Sequence, residues 1–229
     1  AKAIRIVDGQ AEIIPERCIG CGNCVTVCSQ NAKEVSSSVD DVRSILQGPC
    51  RTAAIVAPSF PAEFSEWSFE QLVGMIRKLG FELVTEVGFG ADLVARETKR
   101  LLNETDNRYI ASSCPGVFGF IKRYKPELIR YLLPVVSPMI AMSRVMRELY
   151  GKKEKDLKII FVGPCISKMG EAFSDEMTGE VDDVLTFGEL RQMFEEEDIT
   201  PENSTLSDFD PPHASTGSLF PVRRGLLQA

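Results

Sequence analysis

From Arg51 onward, short apolar runs alternate with stretches whose apolar residues recur every three to four positions. Ala53 to Ala57 is an unbroken apolar run closed by Pro58, the pattern of a strand buried on both faces. Ser68 and Gln71 form a capping box ahead of Phe69, Leu72, Val73, Ile76 and Leu79, which mark one helical face. Gly80 ends that helix. Phe81 to Val87 predicts the next strand, Asp92 to Leu102 the next helix, and Tyr109 to Ser112 a third strand. Ser137-Pro138 opens a further helix that Gly151 stops, with Met139, Met142 and Met146 on its core face. Ile159 to Val162 reads as a strand, and Thr186 with Glu189 caps a helix to Glu196 with Phe187, Leu190 and Phe194 inward. Apolar strands alternating with helices predict an α/β fold, a parallel sheet covered on both faces.

Residues 1 to about 40 have another texture: an extended segment from Ala3 to Val7, a turn at Asp8-Gly9, then crowded cysteines. Residues 41 to 50 read as a connector and Asn203 to Thr216 as a loop. The expected organisation is a short ferredoxin-like α+β module over residues 1–45. Two parallel-sheet α/β lobes follow over 46–152 and 153–229, the second incomplete. Gly88 to Asp92 reads as a tight turn before a helix, because the third glycine of a dinucleotide loop is missing. Asp182-Asp183 reads as a solvated stretch, and His213 and Arg223-Arg224 as surface residues.

Composition narrows the function classes. Apolar residues make up 44% and charged residues 26% of the 229, values of an ordinary soluble globular chain. The net charge of −7 argues against a nucleic-acid surface. No apolar run approaches the ~20 residues of a membrane span, and the N-terminus lacks the shape of a secretory signal. Four of the seven cysteines fall within eleven positions, which in a chain without an export signal reads as metal binding in the cytoplasm.

That cluster, CIGCGNCVTVC, places Cys18, Cys21, Cys24 and Cys28 at the spacing C-x2-C-x2-C-x3-C of bacterial 4Fe-4S ligation. Thiolates two residues apart in a tight loop converge on the corners of one cube, and Gly20 and Gly22 free the backbone to aim N–H groups at sulfur. Zinc sites instead pair C-x2-C with a distant second pair. In two-cluster ferredoxins the fourth cysteine serves the other cluster, so Cys28 is expected to reach beyond its own loop. The opening residues, Ala1 to Ile6, resemble those after Cys28, as if the chain begins just past a first ferredoxin repeat. Ser29 stands where a proline normally follows the last cysteine, and Cys50 reads as a structural thiol rather than a replacement ligand.

Cys114 and Cys165 each follow a predicted strand directly, where ligands of open α/β sheets collect. From position alone, a shared site and two buried apolar residues are equally good readings. The segments VAPSFPAEF, ASSCPG, SPMIA, GPCISKMGEA and VDDVLTFGEL resemble the iron-only (FeFe) hydrogenase family, over residues 1 to about 229. That resemblance implies a 4Fe-4S cube joined to a two-iron subsite carrying CO and CN. Cys114 and Cys165 match its first two cube ligands, and Lys168 matches the lysine that donates to a cyanide. Glu171 matches a family glutamate on the same helical face; alone, the two would form an exposed ion pair. The motif bearing two further cysteines would lie beyond Ala229, so this stretch alone is expected to be inactive.

Ser113 departs from the family, whose active members place a proton-donating cysteine immediately before the first cube ligand. A serine hydroxyl is no acid at working pH. This departure resembles the sensory branch, in which the module is fused to signalling domains and works slowly on hydrogen. The resemblance therefore implies a hydrogen or redox sensor, or a low-activity hydrogenase. Protons and hydrogen are its substrate, and a redox partner protein or fused signalling domain its partner. The alternative is a non-catalytic iron–sulfur protein of electron transfer or cluster assembly, which would not need Lys168; a nucleotide-binding α/β domain would need neither Cys114 nor Cys165.

Overall fold

A computed structural model of the chain describes residues 2–151 and 156–229. The expected lobe boundary at 152/153 and the first residue of the opening segment lie outside the described residues. In chain order the elements are β1 (Ile4–Val7), β2 (Gln10–Ile13), α1 (Asn23–Thr26), α2 (Val39–Leu46), β3 (Arg51–Val56), α3 (Phe60–Glu63), α4 (Phe69–Lys78) and β4 (Leu83–Glu86). They continue with α5 (Val87–Glu104), α6 (Pro115–Tyr124), α7 (Pro138–Tyr150), β5 (Leu157–Gly163), α8 (Ser167–Ala172), β6 (Asp183–Thr186), α9 (Phe187–Glu196) and α10 (Gly225–Gln228).

The fold is α/β, as the alternation predicts. Strands β3 to β6 form one parallel sheet in the order β4-β3-β5-β6, and β1 pairs antiparallel with β2 around the Asp8-Gly9 turn. Strands from both expected lobes therefore join in a single sheet, with Ala53 opposite Ile159 and Val56 opposite Val162. Every residue of β3 is buried, which is why its run is unbroken rather than alternating. Helices α4, α7 and α9 pack on the sheet, and Met139, Met142 and Met146 are in the core. Both predicted capping boxes form: Ser68 Oγ accepts from Gln71 N–H and Thr186 Oγ1 from Glu189 N–H. Beyond α9 the chain returns along edge strand β4. Asp210 donates its N–H to Val84 O, accepts the Val84 N–H, and pairs with Arg77 at 2.7 Å, which closes that edge.

Four expectations need correction. The connector is largely helix α2, because Val39 and Val42 at i,i+3 bury one face beside β6. The Gly88–Asp92 turn lies inside α5; its glycines serve close packing, since a Cβ on Gly90 would sit 2.9 Å from Met142 N and one on Gly88 2.6 Å from Ala214 Cβ. Tyr109–Ser112 makes only an isolated bridge, Ile110 with Leu132, because no neighbouring strand continues it. The Asp182-Asp183 pair is not solvated. Asp183 is buried, and Asp182 accepts from Arg147 at 2.9 Å, Lys158 at 3.0 Å and the Ile159 N–H at 2.9 Å.

Candidate functional site

The cysteine loop follows β2 and turns on two left-handed glycines, Gly20 (φ 66°) and Gly22 (φ 71°), the latter preceding α1. That backbone aims donors at sulfur: Gly20 N–H lies 3.4 Å from Cys18 Sγ, and Ala32 N–H 3.3 Å from Cys28 Sγ. The Cys28 thiol is held below its usual range, first by the Ala32 N–H and then by Gln30 N–H, against a smaller cost of desolvation; the charge of Lys33 adds to the lowering. Donors that favour thiolate suit a soft-ligand cluster. The seven cysteines are free thiols, and among the described residues no three His, Cys, Asp or Glu side chains close on one point.

The loop is docked on the α/β body. Tyr124 Oη donates to Arg17 O at 2.7 Å and Arg123 to Pro15 O at 3.0 Å, both from the end of α6. Ser167 Oγ, at the start of α8, donates to Gly20 O at 2.8 Å. Gly116 marks where the two cysteine motifs meet. A Cβ placed there would lie 3.7 Å from Cys114 Sγ, 3.8 Å from Cys21 Cβ and 3.8 Å from Ser167 Oγ. Ile166, next to Cys165, packs against Gly22. These contacts were not read from the sequence: Ser167 lies inside a quoted motif, yet no local signal marks a partner 147 positions away.

Cys114 is the N-cap residue of α6, with Pro115 in the first turn, and Cys165 opens the turn into α8 just past the end of β5. The stretch before Cys114 is held extended by Ser112 Oγ, which donates to Leu133 O at 2.8 Å. Lys168 Nζ donates to Ser113 O at 3.3 Å and pairs with Glu171 at 2.6 Å. The side chains of Lys168 and Glu171 are only 12% and 15% exposed, so the exposed-pair reading fails. A largely desolvated pair of this kind is costly unless it serves something beyond itself. Ser113 Oγ is buried and, among the described residues, has no hydrogen-bond partner. An orphaned hydroxyl, a part-buried cation and an exposed thiol, Cys114, side by side fit a metal-containing group that carries hydrogen-bond acceptors.

The remaining candidates stay apart from this site. Cys50 precedes β3, at the opposite end of the sheet from Cys165, about 20 Å away along the strands. His213 faces Glu86 at 3.8 Å, and Arg223 and Arg224 are exposed.

The family model described as the iron only hydrogenase large subunit, C-terminal domain, matches residues 51–229. That of the 4Fe-4S binding domain matches residues 11–34, enclosing Cys18, Cys21, Cys24 and Cys28. The NADP-reducing hydrogenase subunit HndD of Solidesulfovibrio fructosivorans is 27% identical over 93% of this chain and 42% of its own length. The cytosolic Fe-S cluster assembly factor NAR1 of Yarrowia lipolytica is 25% identical over 85% of this chain and 47% of its own. This chain thus spans less than half of either relative. The structure of HydA(deltaEFG), from work on stepwise [FeFe]-hydrogenase H-cluster assembly, superposes with a TM-score of 0.68 at 27% identity. That match covers 79% of this chain and 52% of that one.

Proposed function

We propose that this chain, which belongs to the iron-only hydrogenase family and binds 4Fe-4S, is the redox core of a hydrogen-linked sensor or slow hydrogenase. Electrons would pass between a cluster held by Cys18, Cys21, Cys24 and Cys28 and the Cys114–Cys165 site. The observation that carries this reading is the part-buried Lys168–Glu171 pair with Lys168 Nζ on the carbonyl of Ser113, beside a Ser113 hydroxyl that lacks a partner among the described residues. A cube held by cysteine thiolates alone would not need that cation.

When bound, the cube supplies one-electron chemistry and the two-iron subsite the chemistry of hydrogen. The chain's own residues do the rest. Cys18, Cys21, Cys24 and Cys28 hold the N-terminal cluster, with backbone N–H groups stabilising thiolate charge. Cys114 and Cys165 offer two thiolates for the second. Lys168 would offer a fixed positive charge and N–H donors to CO and CN ligands, and Glu171 holds the ammonium in place. Ser113 holds or passes a proton only as a neutral hydroxyl, which removes the general-acid step that a thiol would provide. That step is worth roughly a hundred- to ten-thousand-fold. We place the protein in the cytoplasm. Among the described residues no helix is long and apolar enough to cross a membrane, and the relatives include proteins named cytosolic.

The NAR1 relationship supports a second reading, a non-catalytic iron–sulfur protein of cluster assembly. Infrared spectroscopy separates the two. Full-length protein matured with the two-iron subsite should show CO and CN stretching bands and slow hydrogen evolution, and Ser113→Cys should raise the rate with a pH-dependent gain. Absence of the bands after maturation would replace this reading with the second. Residues 1–229 alone should evolve no hydrogen, because Cys114 and Cys165 supply two of the four thiolates a cube takes.

A further inference from the structure

Charge is segregated along this chain. Residues 108–131 hold five of the 26 Lys and Arg and one of the 33 Asp and Glu, for a net +4, while the rest of the chain carries −11. Residues 108–114 lead into α6, and the rest fold as α6 and a 3-10 turn over Pro126–Tyr131, packed on each other and carrying four of the five cations and the one carboxylate. Their outer surface is apolar as well as basic: Phe118, Phe120, Ile129 and Tyr131 are each 37 to 46% exposed. Two of the cations are paired, Lys122 with Glu176 at 2.7 Å and Lys125 with Glu127 at 3.9 Å. Among the described residues Arg108, Arg123 and Arg130 face no carboxylate. Arg123 donates to the Pro15 carbonyl, and Arg130 lies over the Tyr131 ring at 4.9 Å.

We infer that this face of α6 and the adjoining 3-10 turn is the docking surface for an acidic protein electron carrier. Exposed aromatics beside unpaired arginines have the composition of an interface core and rim. The net +3 of residues 115–131 would steer an acidic partner here, and the −10 elsewhere would repel it. Location supplies the kind of partner. The same helix carries Cys114 at its N-cap, while Arg123 and Tyr124 at its other end hold Pro15 and Arg17, which lead into the loop of Cys18 to Cys28. A carrier seated on α6 would therefore lie beside the loop whose cysteines would hold the cluster that exchanges electrons with it. The partner's being an electron carrier rests on the relay reading above; the surface itself does not.

The test uses the whole chain with its N-terminal cluster reconstituted, and a small acidic 4Fe-4S ferredoxin as probe. Binding by calorimetry should be measurable at low salt and weaken as salt rises, with basic cytochrome c binding poorly. Lys125→Glu with Arg130→Glu, both on exposed side chains, should lower affinity about tenfold or more and flatten the salt dependence. Phe118→Ser should weaken binding without changing the salt slope. Unchanged affinity in the charge-reversed variant, or equal binding of cytochrome c, would overturn the proposal. So would tighter binding to phosphatidylglycerol vesicles than to the ferredoxin, which would make the face a membrane contact. The EPR signal of the N-terminal cluster is read on the same samples. If it is absent while the ferredoxin still binds, the relay reading fails and the docking surface stands.

Discussion

Asp183 shows how far a single side chain can depart from its sequence neighbourhood. Next to Asp182 and just ahead of a capped helix, it has the look of a solvated residue, yet it is 5% exposed at the start of β6. Burial pushes its carboxyl above the ordinary aspartate range, and the charges of Asp41 and Glu189 add to this; hydrogen bonds from Val184 N–H and Ser38 pull the other way. An acid whose folded-state pKa is raised favours folding when protonated, and that contribution is lost as pH rises through the folded value. Asp183→Asn keeps an acceptor for the Val184 N–H and removes the charge. It should therefore raise the urea midpoint at neutral pH, and the gain should vanish below the ordinary aspartate pKa, where both states are protonated. A variant equal to wild type at pH 7 would show that the carboxylate is not penalised. The cysteine and lysine positions contrast with this. Cys18 to Cys28 were legible because their spacing is itself the chemistry, and Lys168 because the motif GPCISKMGEA around it resembles the family's. The burial of Lys168 was not legible, since it depends on residues brought in by α6.

At the scale of elements, local signals served well where the physics is local. The two capping boxes and the Ser137-Pro138 start form as read, because each satisfies N–H groups within one turn. The boxes differ in what else they hold. Glu189 also accepts the N–H of Ser38 at 3.0 Å, so it ties the end of α9 next to β6 to the entry of α2. Among the described residues Gln71 returns only to Ser68. Glu189→Ala should therefore cost about 1 kcal/mol more than Gln71→Ala, because it strands a second backbone donor. Paired urea unfolding curves measure that difference, and equal losses would confine Glu189 to its own cap. Helices α2 and α5 were misread for a tertiary reason. Gly88 and Gly90 interrupt propensity, but each is needed where another segment of backbone or side chain comes close.

The whole molecule is a parallel sheet with a small cysteine module pinned to it. Ser167, Tyr124 and Arg123 bond to backbone carbonyls of the cysteine loop, and Ile166 packs on Gly22. Two glycines test that docking. Alanine at Gly20 or Gly22 meets the same left-handed strain, about 1–2 kcal/mol. At Gly20 nothing lies within 4 Å of the added Cβ, while at Gly22 it would come within 2.9 Å of Ile166 Cγ1. Gly22→Ala should destabilise the chain more than Gly20→Ala and should speed amide exchange in both the loop and the start of α8. Equal effects would mean that the module sits on the body without being coupled to it.

The sequence by itself determined the α/β class, the helix caps, the 4Fe-4S ligand spacing and the family, because each is written in neighbours a few positions apart or in a contiguous motif. Tertiary structure alone decided that strands of both expected lobes share one sheet, and that Cys21, Cys114 and Ser167 gather around Gly116. It also decided that Lys168 and Glu171 form a part-buried pair and that Asp183 is stripped of water. These features depend on segments 50 to 150 residues apart meeting in space. Local periodicity and spacing carry no record of such distances.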